Sequence, residues 1–190
     1  MFFPRRKQLR LKDYNYSHNG AYHITICTHN RQQLFQNIIT STKHGIAVNF
    51  PLEENSNFIE KWFSEIENKF PLAKIDCYTV MPDHVHFIVF ITDDHANSLA
   101  NSSPTQSIDD VDTIIKRNKE LIPLIANWFK TMTTNEYIRL VKNGTFPPFQ
   151  KHVWQRSYND RIIRNSEDLR ETREYIEKNP YKLSHYLTQK

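Results

Sequence analysis

Hydrophobic and polar positions along the first part of the chain predict strands and one amphipathic helix. Residues 21–29 (AYHITICTH) alternate and are rich in β-branched side chains, which is typical of a strand, and residues 42–50 favour a strand more weakly. The segment that begins at Pro51 carries apolar side chains at every fourth position: Phe58, Trp62, Ile66 and Phe70. This spacing predicts a helix whose aromatic stripe packs in the core.

Two apolar segments that follow are separated by only two residues. Residues 74–81 (KIDCYTVM) and residues 84–92 (HVHFIVFIT) flank the dipeptide Pro82-Asp83. So short a connection predicts an antiparallel hairpin. The second segment is apolar at nearly every position, as in a central strand that is covered on both faces.

The second half of the chain adds a loop, a long helix and short strands. Residues 93–113 are polar and rich in Ser and Asn, which predicts a flexible loop. Residues 114–140 are helical in pattern, and Pro123 favours a continuous helix that starts near it. The apolar side of that helix comprises Leu121, Ile125, Trp128, Phe129 and Met132. Residues 149–164 favour one or two short strands.

A last helix is predicted from the capping pattern near the end of the chain. Asn165, with Asp168 three residues later, is typical of a helix start, and we expect the helix to end at Asn179, before Pro180. Helices and antiparallel strands are thus mixed rather than strictly alternating. We predict a single α+β domain over residues 1–190, with one antiparallel sheet of four or five strands and helices mainly on one face.

Composition removes several classes of protein from consideration. The chain has 190 residues, with 38% hydrophobic, 24% charged and only 3 glycines, which excludes disordered, collagen-like and glycine-rich chains. No apolar run approaches the roughly 18 residues of a membrane span. The charged N-terminus argues against an export signal, and Cys27 and Cys77 lie in strand-like runs. We therefore expect buried thiols in a cytoplasmic protein without a disulfide framework.

The net charge of +4 is compatible with a polyanionic partner, and its distribution is more informative than its size. The basic residues form three clusters: an N-terminal arm within residues 1–13 that includes Arg5 and Arg6; Lys116, Arg117, Lys119 and Lys130; and Lys151, His152, Arg156, Arg161 and Arg164. Solvated surface charge is the favoured explanation of each cluster taken alone. The third interleaves with Trp154 and Tyr158, which favours contacts to nucleic acid.

The pair His84 and His86 is the sharpest chemical feature of the sequence. Residues i and i+2 of a strand project from the same face, about 6–7 Å apart, so two imidazoles can converge on one metal ion. A strand this apolar has no packing reason to carry two histidines on one face, although core histidines bonded to backbone groups are the alternative. Their place directly after a tight turn favours a metal site, whereas we interpret His23 as a packing residue.

Two histidines leave a metal site incomplete, and the last helix offers a further ligand. Mg²⁺ and Mn²⁺ prefer oxygen ligands, so an amide or a carboxylate should complete the site. Tyr175 and Asn179 are i, i+4 neighbours on one helix face, beside the stripe of Leu169, Arg173 and Ile176 that we expect to pack on the sheet. A phenol one turn from a metal-binding amide would be a nucleophile held close to its electrophile.

Taken together, these segments resemble the IS200-like tyrosine transposases, and more closely their REP-associated branch. The resemblance rests on YHITICTHNRQQLF (22–35), YTVMPDHVHFIV (78–89) and VWQRSYNDRIIRNSEDLRETREYIEKNPY (153–181), in the family's order. It spans residues 14–180, and as a set the motifs are highly specific. It implies a ferredoxin-like HUH nuclease fold, with His84-Val85-His86 as the HUH element.

The resemblance also implies an activity and its residues. The protein would be a metal-dependent single-stranded DNA endonuclease and strand transferase that acts at hairpin-containing DNA. His84, His86 and Asn179 would bind Mg²⁺ or Mn²⁺, and Tyr175 would form a 5′-phosphotyrosine. Arg156, Arg161, Arg164, Lys130 and the arm residues Arg5 and Arg6 are the expected DNA contacts. Such a protein would be nucleoid-associated when it is bound to DNA.

Several alternatives stay open from the sequence alone. A domesticated relative that binds structured single-stranded DNA without cleaving it would carry similar motifs, and Tyr158 is the rival nucleophile. A nucleotide phosphohydrolase with a His-x-His-x-His strand is disfavoured, since residue 88 is isoleucine. A homodimer and a monomer both remain compatible with the sequence, as do transposition and the maintenance of repeats.

Overall fold

The computed structural model describes residues 20–35, 58–92 and 121–188, with side chains to Pro180. The elements in chain order are β1 (Gly20–Cys27), a 3-10 turn (His29–Arg31), α1 (Phe58–Lys69), β2 (Ala73–Met81), β3 (His84–Ile91), α2 (Leu121–Lys142), β4 (Asn159–Ile163) and α3 (Ser166–Thr188). The strand expected at residues 42–50, the loop at 93–113 and the basic arm with Arg5 and Arg6 lie outside the described residues.

The four strands form one antiparallel sheet in the order β2-β3-β1-β4. The hairpin of β2 and β3 is confirmed, and it turns at Pro82-Asp83 with Met81 paired to His84. β3 also pairs with β1, so that Thr25 lies opposite His86 and Cys27 opposite His84. The central position of β3 explains its nearly continuous apolar sequence, because such a strand is covered on both faces.

Helices α1 and α2 cover one face of the sheet, and α3 packs on the other, which confirms the predicted α+β class. The first face holds the larger core, in which Phe63 stacks on Tyr78 and Phe129 with ring centroids 4.3 and 4.7 Å apart. Phe58 and Ile66 of the predicted stripe are buried in this core, while Trp62 and Phe70 pack against it partly buried. The aromatic stripe is therefore structural, as predicted.

The second face holds a smaller apolar cluster beneath α3. Its buried members are Ala21, Cys77, Ile88, Ile163 and Ile176. Both cysteines are buried free thiols, as expected. Burial raises the pKa of Cys77 to about 12, so this thiol stays protonated and apolar.

Two predicted features near the end of the chain differ in their outcome. The helix start is confirmed, because the Asn165 side chain accepts a hydrogen bond from the Asp168 backbone N–H at 2.8 Å. The predicted end is wrong, since α3 continues through Pro180 to Thr188. Pro180 has no backbone N–H to donate to the Ile176 carbonyl and its ring crowds that carbonyl, which is why its position predicted a helix end. In the segment 149–164, β4 forms only over Asn159–Ile163, and Trp154 adds an isolated bridge to Thr28.

No helix within the described ranges is long and apolar enough to cross a membrane.

Candidate active site

His84 and His86 begin β3 and project from the face of the sheet that α3 covers. Their ring centroids are 4.7 Å apart, which confirms that the i, i+2 spacing brings the imidazoles together. The Nδ1 atom of His84 lies 2.5 Å from a carboxylate oxygen of Asp83, whose other oxygen accepts a bond from Arg31 at 3.2 Å. A carboxylate on Nδ1 fixes the ring and leaves Nε2 as the coordinating atom.

His86 is held in the same way by polar groups of β1. Its Nδ1 lies 2.9 Å from the Thr25 hydroxyl and 3.2 Å from Nε2 of His23. The Nε2 atom of His86 is buried without a hydrogen-bond partner among the described residues. Both histidines therefore have Nδ1 engaged by the protein, which is how metal-binding imidazoles are commonly oriented.

Sequence reasoning missed His23 and Thr25 as part of this cluster. To the interpretation of His23 as a packing residue the structure adds a polar contact, because its Nε2 lies 3.2 Å from Nδ1 of His86 and the two ring centroids are 5.2 Å apart. The signal was present in the alternation of β1, which puts His23, Thr25 and Cys27 on one face. Only the pairing of Thr25 with His86 shows which neighbour that face meets.

Tyr175 comes to the histidines from α3, about ninety residues further along the chain. Its ring centroid is 5.3 Å from that of His86 and 6.1 Å from that of His23. The side chain is 44% exposed, so a large substrate could reach the phenol. Asn179 follows one helical turn later, and its Nδ2 atom is buried without a partner in the described part of the chain.

Polar anchors hold α3 on the sheet and thereby fix where Tyr175 lies. Arg173 makes a two-pronged ion pair with Asp76 of β2, at 2.6 and 2.7 Å. Arg161 of β4 bonds Asp168 and the Thr172 hydroxyl, both at 2.5 Å. With Ile176 fully buried, the predicted stripe of Leu169, Arg173 and Ile176 does pack on the sheet.

Removal of the Asp76 carboxylate should destabilise the protein measurably. The Asp76 side chain is only 9% exposed and Arg173 39%, so Asp76→Asn leaves a half-buried guanidinium without its charged partner. We expect a loss of about 1–3 kcal/mol in the free energy of unfolding by urea. Glu167→Gln is the control, because the Glu167–Arg170 pair of the same helix is largely exposed on both sides and should change stability by less than about 0.5 kcal/mol. Equal losses in the two variants would contradict the anchoring role.

Burial makes the two inner histidines neutral at physiological pH. It lowers the pKa of His86 to about 3, and the neighbouring His84, His23 and Arg31 lower it further. Burial also lowers the pKa of His23 to about 4, with a contribution from the Arg161 guanidinium. A neutral imidazole keeps a lone pair for a metal ion, which a protonated one lacks.

These shifts predict that stability falls as the pH drops below about 6.5. In that range the unfolded chain binds protons at His23 and His86 that the folded protein does not, so each contributes a slope of up to roughly 1.4 kcal/mol per pH unit. The contribution of these two neutral histidines to the free energy of unfolding is fully present above pH 6.5. It is lost progressively as the pH falls towards their folded-state pKa values of about 4 and about 3. Urea unfolding between pH 4.5 and 7 should show this slope, and His23→Gln should reduce it. A flat profile in the wild type would contradict the prediction.

The described residues contain no group of three or more His, Cys, Asp or Glu side chains that could hold a metal ion. The predicted set consists of two histidines and the amide of Asn179. Buried polar atoms without partners on this face, namely His86 Nε2, Thr79 Oγ1 and Asn179 Nδ2, are the kind that an ion or its water would satisfy. Rotation of the Asn179 amide would present oxygen instead of nitrogen. Unpartnered atoms of this kind would suit a cation such as Mg²⁺ or Mn²⁺, which stays a prediction.

The predicted DNA contacts fall into two separate places. Arg161 lies beside His23 and is already bonded to α3, while the backbone N–H of Arg164 donates to Asp168 at 3.1 Å. Lys130 and Arg156 lie together on the other side of the sheet, where the Lys130 amine donates to the Arg156 carbonyl at 2.9 Å. All four remain predictions as DNA contacts.

Tyr158, the rival nucleophile, belongs to the core on the opposite face of the sheet from this chemistry. It is 8% exposed and belongs to the larger core beneath α1 and α2. His84 and His86 project from the face that α3 covers, so the geometry favours Tyr175 over Tyr158 as the candidate nucleophile.

Comparison with known proteins gives one clear relative. The chain is 31% identical over 186 residues to an uncharacterized protein of Haemophilus influenzae, which covers 92% of this chain and 88% of the relative. The two proteins belong to one family. No family model matches the chain.

Two solved structures are similar to this fold at low identity. One is described as a REP-associated tyrosine transposase bound to a REP hairpin, with 17% identity, a TM-score of 0.45, and coverage of 91% of this chain and 73% of that one. The other is described as a putative transposase from Deinococcus radiodurans R1, with 15% identity, a TM-score of 0.42, and coverage of 88% and 96%. At these TM-scores the function has to rest on the residues of the site itself.

Proposed function

We propose that this protein is a transposase-like enzyme that cleaves and rejoins single-stranded DNA at hairpin-containing sites. The observation that carries the proposal is the approach of Tyr175 to His86, with ring centroids 5.3 Å apart, where the ring of His84 lies 4.7 Å from that of His86. A half-exposed phenol next to two oriented imidazoles provides a nucleophile beside a ligand pair. This combination is suited to phosphoryl transfer to a tyrosine, because a cation held by the ligand pair would stabilise charge on the phosphate that the nucleophile attacks.

His84, His86 and Asn179 are the residues that would hold Mg²⁺ or Mn²⁺. When bound there, the cation would neutralise charge on a phosphate oxygen and orient the phosphorus. The protein's own part is to keep the imidazoles neutral and oriented, through Asp83 on His84 and Thr25 with His23 on His86.

Tyr175 would carry the covalent step. Its phenolic oxygen forms a bond to phosphorus while the bond from phosphorus to the 3′ oxygen breaks, which gives a 5′-phosphotyrosine and a free 3′ hydroxyl. The phenol loses one proton and the leaving oxygen gains one. Attack by the 3′ hydroxyl of another strand reverses the step, so no nucleotide hydrolysis is required.

The fixed position of α3 supports the reaction by holding the nucleophile in place. The Asp76–Arg173 ion pair and the Arg161 bonds tie the helix to two different strands of the sheet. A nucleophile that is positioned before the substrate binds avoids much of the entropic cost of the encounter.

A covalent-adduct assay tests the proposed function. The protein is incubated with a pool of hairpin-containing single-stranded oligonucleotides, with Mn²⁺ or Mg²⁺ and in parallel with EDTA, and is then resolved on denaturing gels. We expect a protein–DNA adduct that needs the metal and that resists denaturation. Tight hairpin binding without any adduct would overturn cleavage and favour the non-cleaving DNA-binding protein.

A further inference from the structure

A second feature of the molecule is a groove on the α2 side of the sheet. Its volume is about 700 Å³, and it lies between α2 and the segment 149–156. The groove residues that can bear positive charge are Lys130, Lys151, His152 and Arg156. Amides and hydroxyls of Asn127, Asn135, Gln155, Thr131 and Thr134 complete the polar part of its wall.

The charge of this groove is not balanced by the protein. No aspartate or glutamate lines it, and within the described residues Lys130, Lys151 and Arg156 have no carboxylate partner. Elsewhere in the described part of the chain, five arginines each pair with a carboxylate: Arg31, Arg139, Arg161, Arg170 and Arg173. A concave surface with cations and no anions has a positive potential that attracts phosphate groups.

Two details distinguish the cations of the groove, of which Lys130 is partly buried while Lys151, His152 and Arg156 are exposed. The Lys130 amine is partly buried and donates a hydrogen bond to the Arg156 carbonyl at 2.9 Å. This bond uses one of the three N–H donors of the amine. Lys151 has a φ of +60°, a left-handed conformation that non-glycine residues adopt rarely and that clusters at functional sites.

The groove is connected to the candidate active site through β1. The Gln155 N–H donates to the Cys27 carbonyl at 2.8 Å, and Cys27 pairs on its other side with His84. Two strand spacings of about 4.8 Å therefore separate the backbones of Gln155 and His84, roughly 10 Å in all. At the same end, the ring of His152 contacts that of His29.

We propose that this groove binds the sugar–phosphate backbone of DNA that extends from the active site. The inference rests on the proposed function for its substrate class, and it adds a binding surface separate from His84, His86 and Tyr175. Lys151 and Arg156 contact phosphates, and the amides and hydroxyls of the wall provide further bonds. The groove holds the DNA in place and takes no part in the chemical step.

The test measures the DNA affinity of the wild type and of a groove variant over a range of salt concentrations. The probe is a dye-labelled hairpin oligonucleotide that has single-stranded flanks, and binding is followed by fluorescence anisotropy. The variant is Lys151→Asn/Arg156→Gln, since asparagine tolerates the left-handed backbone. We expect affinity to fall on the order of tenfold and the salt slope to decrease by about 1.4, at ~0.7 for each phosphate contact to a single strand. Lys69→Gln/Lys74→Gln is the control, because it removes two exposed charges outside the groove.

The outcomes separate this inference from the proposed function. Unchanged affinity and salt slope in the groove variant, or an equal loss in the control, would contradict DNA binding by the groove. Adduct formation by the wild type would still support the proposed function. A weakened groove variant together with a wild type that forms no adduct would retain the groove and overturn cleavage. Tighter binding of the wild type to an RNA of the same sequence would overturn DNA as the ligand. Thermal unfolding of each variant confirms that it is folded.

Discussion

Tyr175→Phe is expected to abolish the metal-dependent protein–DNA adduct. The substitution removes the single oxygen that would bond to phosphorus and leaves the ring, which packs beside His86 and His23, in place. Loss of the nucleophile of a covalent mechanism costs on the order of 10³-fold or more, so the adduct should fall below detection. Hairpin affinity should stay within about twofold, since the phenol is not one of the expected phosphate contacts.

Tyr158→Phe is the matched control for this experiment. Tyr158 is the rival tyrosine of the third motif, but it is buried in the core beneath α1 and α2, so its loss should affect stability and leave the adduct intact. If Tyr158→Phe removed the adduct and Tyr175→Phe kept it, the assignment of the nucleophile would be wrong while the reaction class survived.

His86→Ala is expected to remove both the adduct and the binding of the metal. Loss of partners that merely orient a ligand already costs 10–100-fold, so loss of the ligand itself should exceed about 100-fold in adduct formation. The binding readout is thermal unfolding without DNA. With Mn²⁺ at about 100 times its Kd the wild type should gain about 2.7 kcal/mol, or roughly 5–10 °C in Tm, and the variant should gain nothing.

His152→Ala is the control for metal binding, because this exposed histidine lies at the groove and away from His84 and His86. It should keep the whole Mn²⁺-dependent rise in Tm. If His86→Ala does not fold, His84→Ala provides the same comparison at a less buried position, with a side chain 17% exposed. A Tm shift that persists in either variant would contradict the assignment of the metal to this histidine pair.

The two predictions differ in what they would establish about the site. The tyrosine variant tests the covalent step with metal binding intact, and the histidine variant tests the metal site without any DNA present. A protein that bound Mn²⁺ at His84 and His86 but formed no adduct would still have the predicted metal centre. In that case the position of α3 on the sheet would be the feature to re-examine, through Asp76 and Arg173.

Much of this protein follows from its sequence because the relevant signals are local. Strand alternation placed His84 and His86 on one face, and a two-residue turn specified the hairpin that begins with them. Helical spacing identified the buried stripe of α1, and the pair Asn165 and Asp168 marked the start of α3. Each of these depends on residues a few positions apart, whose geometry the backbone period determines.

Other features were decided by contacts between distant segments, which no local pattern contains. The approach of His23 to His86 depends on the register of β1 against β3, and a shift of one residue would turn His23 to the other face. The place of Tyr175 depends on the ion pair of Arg173 with Asp76, nearly one hundred residues away. The groove exists only because the segment 149–156 returns to pair with the end of β1. The sequence by itself determined the elements and the chemical types, and the tertiary structure decided which of them meet, because burial and ion pairing act between groups that are far apart in the chain.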